Sequence, residues 1–445
     1  MESNTPRGSA AELASPYGNR PLTLVQHLII SAFWFATNFQ WGPMILILLP
    51  GDIGRLAGPD KASVLGKVGY LAIIAIVVPL ISGAMSDRCR RKEGRRKPYI
   101  AVGVVLNIVG LLLMAYSVIS LKSWVAYLAS YGVVQFGNNI ASGAYMGVIP
   151  DVVRKDEHGK ASGFMALMSQ LGTLIGIIVV GVILKSDQTF LRYGIISVLL
   201  AVTGAVSYYG IKESPLKTEV EPFRIVEYAK SLWIDPRKYP NFAWVWITRF
   251  LVMLGFYSIV PFINYYLMDV VRIPSSDVEK KASALFALIL IVSSLTGIFG
   301  GLLSDKIGRK RVVYVANAVM AVIAPAFVIC NNYIGALVVG AIFGLGYGAY
   351  LSVDYALGTD VLPHKEEAGK DMAVWHVAMT LPQSIGQPFA AFLLAIPGYT
   401  IEKSLKLGEK DIIHYGTSGY GYIFLFCTFC LGLGAYLLRN LKGIR

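Results

Sequence analysis

Charged residues are scarce in this chain. They make up 15% of its 445 residues, whereas an ordinary soluble protein contains about 25%. Apolar residues make up 55% of the chain, and its mean hydropathy is +0.58. This balance excludes a disordered chain and a water-soluble two-domain fold. Twelve apolar stretches, each long enough to cross a bilayer as a helix of about 20 residues, indicate an all-α integral membrane protein.

Cysteine is also scarce, and common catalytic motifs are missing. Four cysteines do not make a disulfide framework. Cys427 and Cys430 form a C-x-x-C inside the last apolar stretch, where small packing residues are expected. The sequence contains no P-loop, no H-E-x-x-H and no G-x-S-x-G pattern. We therefore expect neither an enzyme nor a bound cofactor.

The apolar stretches predict twelve spans, numbered 1 to 12, in two groups of six. Their predicted boundaries are 22–49, 64–84, 99–120, 124–150, 160–184, 192–211, 242–268, 282–303, 312–330, 335–359, 371–395 and 417–438. They divide the chain into an N-terminal tail (1–21), a first bundle (22–211), a linker (212–240), a second bundle (241–438) and a C-terminal tail (439–445). In the linker, Phe223, Val226, Ala229 and Trp233 share one face, which predicts an interfacial helix.

Basic residues are distributed unevenly between the two sides of the predicted bundle. Of 40 Lys and Arg, 27 lie in or beside the terminal segments and the loops after even-numbered spans, 12 lie on the other side, and Arg249 lies inside span 7. Since Lys and Arg stay on the cytoplasmic side of short loops, both termini are expected to be cytoplasmic, in a plasma or inner cell membrane. The net charge of +13 then reports topology, and no nucleic-acid site is expected.

Two pairs of segments repeat between the halves. The loops after spans 2 and 8 share the pattern Gly-x-x-Ser-Asp-basic followed by Gly-Arg-basic, and Asp87 and Asp305 are 218 residues apart. Likewise Asp151 and Asp360, each followed by Gly-Lys, are 209 residues apart. The chain is therefore a six-span unit used twice. Parallel repeats of this kind mark secondary transporters whose substrate lies near the midplane between the halves.

The paired loops also resemble the signature of the major facilitator superfamily. The resemblance spans essentially the whole chain and implies that these acidic and basic residues brace helix ends as a cytoplasmic gate. The residues concerned are Asp87, Arg88, Arg95, Arg96, Asp305, Lys306, Arg309 and Lys310. The alternative is that each loop is only a basic membrane anchor, although anchoring alone requires neither the Asp nor the Gly.

A narrower resemblance is to the plant sucrose transporters and their animal and microbial relatives, within the glycoside-pentoside-hexuronide-like branch. It rests on Gly94-Arg-Arg-Lys-Pro98 and on the segment from Gln135 to Gly143, which holds an Asn pair. Two positions depart from that family. Gln135 stands where the family has an acidic residue linked to proton coupling, and Met146 stands where it has a substrate-binding Arg.

Polar and aromatic residues inside the spans form stripes at helical spacing. Five spans carry such stripes, and in the superfamily four of them, spans 1, 4, 7 and 10, line the central cavity. The predicted substrate-binding residues are Trp34, Asn38, Trp41, Gln135, Asn138, Asn139, Tyr145, Tyr257, Asn264, Tyr347, Tyr350, Gln383 and Gln387. Amides and aromatic rings suit a hydroxyl-rich solute, and they also suit a drug-like amphiphile. The alternative is that the amides only hold the bundle together through interhelical hydrogen bonds.

Two charged residues lie well inside spans. Arg249 and Asp354 lie at similar depths from the predicted cytoplasmic ends of spans 7 and 10, so they are placed to meet. Charges inside a membrane are costly and need a partner or a function. One hypothesis is a permanent ion pair that closes the cytoplasmic side. The other is that Asp354 exchanges a proton while Arg249 sets its pKa.

Together these patterns predict a secondary active transporter, most simply a monomer in the bilayer. We expect it to carry a small polar organic solute, foremost a sugar, by alternating access and with protons. The alternative within the same fold is a drug or metabolite exporter. From other classes come an intramembrane enzyme, against which the missing motifs count, and a non-transporting sensor.

Overall fold

The computed structural model describes most of the chain. The described residues are Tyr17, 21–213, 230, 232–363, 368–402 and 412–442. The predicted interfacial helix of the linker falls almost entirely outside them, and of its proposed face only Trp233 is described, with 76% of its surface exposed. The side chain of Asp305 is also outside the described set.

The part of the chain that the structure describes folds into twelve helical spans, which confirms the predicted all-α membrane architecture of two six-helix bundles. In the first half they are Leu24–Ala57, Lys61–Asp87, Lys97–Leu121, Trp124–Tyr145, His158–Ile183 and Thr189–Gly210. In the second half they are Pro240–Asp269, Val278–Ile307, Arg309–Ile329, Tyr333–Asp360, Ala368–Ala395 and Thr417–Leu437. Two strands, β1 (Tyr399–Glu402) and β2 (Ile412–Tyr415), form an antiparallel hairpin between spans 11 and 12.

Hydropathy and length identify most of these spans as membrane-crossing. Within the described residues, nine helical stretches are long and apolar enough to cross a bilayer, and the first, Leu24–Asp87, contains both span 1 and span 2. Spans 4 and 11 are not among the nine. Both carry polar stripes, which lower their mean hydropathy.

Local sequence signals explain where several spans begin and bend. Thr23 caps span 1 in a reciprocal capping box with Gln26, and Asn332 caps span 10 by accepting a hydrogen bond from Gly335 N at 2.7 Å. Span 1 continues past Pro43 through a π-helical segment, Met44–Leu48. Such irregular turns are tolerated in membrane helices because neighbouring helices satisfy the freed backbone groups.

The two halves repeat the same pairing of spans. Span 1 packs on spans 5 and 6, and span 4 packs on spans 2 and 3; correspondingly, span 7 packs on spans 11 and 12, and span 10 packs on spans 8 and 9. Small residues permit the close approach. A Cβ at Gly103 of span 3 would lie 2.6 Å from Gly137 O, and one at Gly346 of span 10 would lie 2.8 Å from Ala316 O.

The bundle has two polar faces. The face that carries Leu22, Asp87, Asp151 and Asp360 is called the terminal face, because spans 1 and 7 begin there and spans 6 and 12 end there. The opposite face, which carries Asp52, Lys61, Arg192, Asp269 and Glu279, is called the far face.

Candidate functional site

Hydrogen bonds join the two halves at the far face. The Tyr265 hydroxyl donates to Pro50 O at 2.9 Å, and the Lys61 ammonium donates to Ile413 O at 2.5 Å. The second bond ties span 2 of the first half to β2 of the second half. The hairpin therefore acts as a strap across the seam between the halves.

A buried ion pair also crosses this seam. Arg192 of span 6 contacts Glu279 of span 8, with Nη1 and Oε2 2.5 Å apart and with side chains 1% and 9% exposed. Gly51 makes room for the carboxylate, because a Cβ at this position would clash with Glu279 Oε1. The pair and the glycine together hold spans 1, 6 and 8 in contact at the far face.

A second buried carboxylate lies behind this pair. Asp52 Oδ2 accepts hydrogen bonds from Tyr193 at 2.7 Å and from Tyr127 at 3.1 Å, while Oδ1 pairs with Arg55. The Asp52 side chain is fully buried. These bonds fix the far end of span 1 against spans 4 and 6 within the first half.

Spans 2 and 11 approach closely near the far face. A Cβ at Gly69 would lie 2.7 Å from Pro388 Cδ and 2.8 Å from Gln383 O, and one at Gly66 would lie 2.7 Å from Ala391 Cβ. Such distances leave no space for a side chain. The glycines therefore permit the halves to close here.

Spans 5 and 8 touch at the far face and separate toward the terminal face. A side chain at Gly181, in the far end of span 5, would clash with Ser283 of span 8. At the terminal ends, in contrast, a Cβ on Gly159, Gly163 or Gly301 would meet nothing within 4 Å. Spans 5 and 8 are therefore in contact at the far face, whereas the glycine positions at their terminal ends face open space.

The repeated loops form matching ion pairs at the terminal face. In the first half, Arg95 and Arg96 both pair with Asp151, and Arg96 also pairs with Asp87 at 2.6 Å. In the second half, Arg309 pairs with Asp360. The two repeated motifs of each half thus come together in ion pairs at the terminal ends of the helices. The first half and the second half each have their own set of these pairs.

Three other predicted gate residues have simpler surroundings. Arg88 donates to Ala84 O at 2.8 Å, Lys310 donates to Leu441 O at 3.1 Å, and Lys306 is exposed. Glu213, which the sequence analysis did not select, accepts the Arg96 backbone N–H at 2.9 Å. Its position just outside the spans is partly buried, and burial raises the pKa of its carboxyl.

In the first half, the polar stripe of span 1 is more exposed than that of span 4. Trp34, Asn38 and Trp41 are half-buried, and Asn38 Nδ2 donates to Trp34 O at 2.8 Å. Span 1 therefore leaves two indole rings and an amide side chain partly exposed.

The span 4 amides are buried, and two of them bond to one another. Gln135 Nε2 donates to Tyr131 OH at 2.8 Å, and Asn139 Nδ2 donates to Gln135 Oε1 at 3.0 Å. Asn138 keeps a buried Oδ1 that has no hydrogen-bond partner among the described residues. Tyr145 instead ties helices together, because its hydroxyl donates to Ile30 O at 2.9 Å.

In the second half, aromatic rings and amides line the corresponding wall. Tyr347 is half-buried and stacks on Phe256, with ring centres 4.6 Å apart. Gln383 is half-buried and lies beside the Tyr257 hydroxyl. This wall is as neutral and aromatic as that of span 1.

Two predicted substrate-binding residues lie instead at the seam near the far face. Asn264 Nδ2 donates to Leu46 O of the first half. Gln387 is 5% exposed, and its Cβ would lie 3.1 Å from a Cβ at Gly69. Both residues contact the opposite half where the halves are closed.

Arg249 and Asp354 form a buried ion pair. Each side chain is 5% exposed, and the Tyr350 hydroxyl donates to the second carboxylate oxygen of Asp354 at 3.0 Å. Trp375 of span 11 covers the guanidinium, with Arg249 Cζ 3.3 Å from the centre of its ring. The constellation therefore joins spans 7, 10 and 11.

Comparison with known protein families identifies the superfamily of this chain. The model of the Major Facilitator Superfamily matches residues 24–278 and 245–441, and so covers both halves. The chain belongs to the Major Facilitator Superfamily. This confirms the resemblance carried by the paired loops.

Several curated members of the superfamily are similar in sequence. An uncharacterised transporter of Methanocaldococcus jannaschii is 22% identical over 76% of this chain and 81% of its own length. A multi-drug resistance efflux pump of Streptococcus pneumoniae is 25% identical over 74% of this chain and 80% of its own. A sucrose transport protein of Arabidopsis thaliana is 26% identical, over 31% of this chain and 30% of its own.

Solved transporter structures share the fold. A nucleoside transporter matches with a TM-score of 0.70 and 13% identity, over 94% of this chain and 100% of its own. A D-xylose–proton symporter matches with a TM-score of 0.66 and 14% identity, over 94% and 98%. At these identities the likeness concerns the fold alone.

Sequence reasoning missed the far-face groups of this superfamily member. Arg192 and Glu279 lie at the ends of spans, where charged residues are expected to be solvated at the membrane surface. The sequence signal that could have indicated these groups is Gly51 beside Asp52, because a glycine next to a carboxylate at a helix end suggests a close contact with another span. Trp375 was also missed, since a Trp in an apolar span is expected without a special role.

Breaking the Arg192–Glu279 pair is expected to destabilise the protein. Arg192→Leu leaves the Glu279 carboxylate buried without a counter-ion, which costs about 3–5 kcal/mol in buried pairs. Thermal unfolding in detergent measures the loss. The double variant Arg192→Leu/Glu279→Leu is expected to regain most of it, and equal losses from the single and double variants would contradict the pairing.

Proposed function

We propose that this superfamily member is a secondary active transporter that moves a small polar organic solute, foremost a sugar, by alternating access. The observation that carries the proposal is the shape of the space between the halves. Hydrogen bonds join the halves at the far face, and spans 5 and 8 are in contact there but have open space at their terminal ends. A site reached from one side at a time is what alternating access requires.

The excess of Lys and Arg on the terminal face supports a cytoplasmic location for both termini. With that orientation the structure is in an inward-facing state. We propose a location in the cell membrane, as a monomer. The bracing pairs Arg96–Asp87 and Arg309–Asp360 then hold the cytoplasmic ends of each half as it rocks.

The lining supports a hydroxyl-rich solute. Asn38 and Gln383 offer amide groups, which both donate and accept hydrogen bonds. Trp34, Trp41 and Tyr347 offer ring faces, which cover the apolar C–H side of a sugar ring. The partial match to a sucrose transport protein points to the same class of solute.

Proton coupling is assigned to Asp354, with Arg249 as its partner. One proton moving down 100 mV and one pH unit supplies about 3.7 kcal/mol, enough for a solute gradient of several hundred-fold. A buried carboxylate held by one Arg and one Tyr hydroxyl is suited to alternate between a paired and a protonated state.

An exporter of amphiphiles is the second candidate function. It is favoured by the match to a multi-drug efflux pump over 74% of this chain and by the half-buried aromatic rings of Trp34, Trp41 and Tyr347. The same rings that cover a sugar also accept an apolar ligand.

Counterflow in liposomes tests the proposal. Purified protein is reconstituted into vesicles preloaded with one unlabelled solute from a panel of neutral sugars, acidic sugars, nucleosides and amphiphiles. Uptake of the labelled form of a sugar, recovered chemically unchanged, is the expected result. Exchange of amphiphiles alone would favour the exporter, formation of a product would indicate an enzyme, and exchange of nothing in the panel would contradict the proposed function.

A further inference from the structure

The loop after span 2 is longer than the repeated loop after span 8. Its glycine lies seven positions after Asp87, whereas the glycine of the second loop lies three positions after Asp305. The shorter loop still supplies Arg309, which pairs with Asp360. Bracing therefore does not require the additional length, which lies in segment 89–93.

Segment 89–93 is basic and lies at the surface. Its three basic residues and one acidic residue give it a net charge of +2, and residues 90 to 93 are exposed. Among the residues that the structure describes, Arg91 has no ion-pair partner, and its guanidinium lies within electrostatic range of Tyr99, near the start of span 3. The segment thus offers an unpaired cation close to a hydroxyl group.

An apolar groove lies beside this segment. Its volume is about 540 Å³, and Cys89, Arg91 and Tyr99 are part of its lining. Most of the remaining lining is apolar and comes from spans 2, 3 and 4: Val78, Ile81, Met85, Val102, Phe136 and Ile140. Pockets of about 300–1,000 Å³ hold small ligands. The groove is therefore large enough for part of a lipid molecule.

The groove reaches about as deep as one leaflet of a bilayer. Val78 of span 2 and Phe136 of span 4 each lie nine residues from the terminal end of their helix, which corresponds to about 14 Å along the helix axis. Half of a hydrocarbon core of about 30 Å is about 15 Å. An acyl chain that enters at the terminal face therefore has apolar side chains beside it through most of its leaflet.

The groove opens on the outer side of the bundle. Met85, Val102 and Phe136 are exposed apolar side chains of three different spans. Because span 3 packs on spans 4 and 6 of its own half, the apolar residues that it leaves exposed contact lipid rather than the second half. The groove is thus separate from the space between the halves.

We propose that this groove holds an acyl chain of an anionic phospholipid, whose phosphate binds the Arg91 guanidinium and the Tyr99 hydroxyl at the terminal face. The planar fork of an arginine matches a phosphate, and anionic lipids bind basic segments beside membrane helices. A zwitterionic lipid also fills the groove, but it brings no net negative charge to a segment of net charge +2. The site is independent of which solute is carried.

Lipid binding to the delipidated protein in detergent tests this inference. The probes are phosphatidylglycerol and phosphatidylcholine with the same acyl chains, and native mass spectrometry measures each affinity. Phosphatidylglycerol is expected to bind at least about fivefold more tightly, because one basic residue near an anionic lipid contributes about a factor of five. Equal affinities for the two lipids would overturn the proposal.

Arg91→Gln distinguishes the groove from the general positive charge of the terminal face. It is expected to lower the affinity for phosphatidylglycerol about fivefold and to leave that for phosphatidylcholine nearly unchanged. Arg237→Gln is the matched control, because it removes the same charge from an exposed position just before span 7. If both variants bound phosphatidylglycerol equally well, Arg91 would not be part of a lipid site.

Val102→Trp tests the apolar part of the site. The indole would fill part of the groove from an exposed position, so both lipids are expected to bind at least about fivefold more weakly, by loss of buried apolar contacts. Val315→Trp is the control, since Val315 is exposed on span 9, the counterpart of span 3. Thermal unfolding without lipid shows that each variant is folded. Equal lipid binding by the two tryptophan variants would contradict the groove as the site.

The same measurements distinguish two other occupants. Glycerol 1-phosphate carries the phosphate without an acyl chain and is expected to bind at least about 100-fold more weakly than phosphatidylglycerol. Similar affinities would assign Arg91 to a soluble phosphate and overturn the proposal. It would also be overturned if the protein eluted as a dimer that Val102→Trp, but not Val315→Trp, converts to a monomer, because the groove would then hold a second copy of the chain.

Discussion

Asp354→Asn is expected to abolish uphill accumulation of solute while counterflow continues. An asparagine has nearly the size of aspartate and hydrogen-bonds Tyr350, but it takes up no proton. The gradient driven by a pH difference of one unit should fall from about tenfold to about one. The measurement is uptake into liposomes at several pH values, alongside exchange of labelled for unlabelled solute in the same vesicles.

A surface carboxylate provides the matched control for this substitution. Asp156 pairs with Arg154, and its side chain is 61% exposed, so Asp156→Asn should leave both accumulation and exchange unchanged. Undiminished accumulation in Asp354→Asn would remove the proton role. Loss of exchange together with accumulation would instead favour a permanent ion pair that the fold requires.

Gly69→Leu is expected to lower turnover by more than 100-fold by preventing closure of the far face. The new side chain would have to occupy space already taken by Pro388 and by the carbonyl oxygen of Gln383, both within 3 Å of its Cβ. The series Gly69→Ala, Gly69→Val and Gly69→Leu should show progressively lower exchange rates, because each step adds bulk between spans 2 and 11.

Gly132→Leu is the control for the added bulk. A Cβ at Gly132 would meet nothing within 4 Å, so its exchange rate should stay within about twofold of the unsubstituted protein. Thermal unfolding of both variants shows whether each is folded. A folded Gly69→Leu with normal exchange would show that spans 2 and 11 need not close for transport.

The number and order of the spans were predictable because a run of about 20 apolar residues is stable in a bilayer as a helix, which satisfies its own backbone hydrogen bonds. Their ends were less predictable. Span 1 continues to Ala57, eight residues beyond the predicted end, because Asp52 is neutralised by Arg55 and bonded by two tyrosines. A hydropathy profile ends the apolar stretch before Asp52, because it takes no account of hydrogen-bond partners from other spans.

Helical spacing predicted which residues share a helix face better than it predicted which residues they contact. Arg249, Met253 and Tyr257 share one face of span 7, and the same spacing assigned Asn264 to it. The chain, however, passes through a 3₁₀ turn at Val260–Phe262, and Asn264 lies at the seam with Leu46. A change of helical pitch by one turn rotates every later residue, and the sequence pattern gave no sign of it.

Contacts between distant segments were the least predictable part. Asp87, Arg96 and Asp151 each stood out in a repeated motif, but their convergence depends on how spans 2, 3 and 4 pack. Arg249 and Asp354 were selected because charge inside a membrane needs a partner, and they are paired here. The contact between Trp375 and Arg249 was not predictable from the sequence. It depends on the packing of span 11 on span 10, where Gly358 leaves space for the Trp375 ring.

Alternating access is tested most directly by distances at both ends of spans 5 and 8. Four exposed lysines mark these ends: Lys160 and Lys306 at the terminal face, and Lys185 and Lys280 at the far face. Each pair is replaced by cysteines in a background without the four native cysteines, and is spin-labelled in liposomes. Addition of a transported solute is expected to shorten the population-weighted distance of the terminal pair and to lengthen that of the far pair. Distances that stay fixed, or that change in the same direction at both faces, would contradict the account.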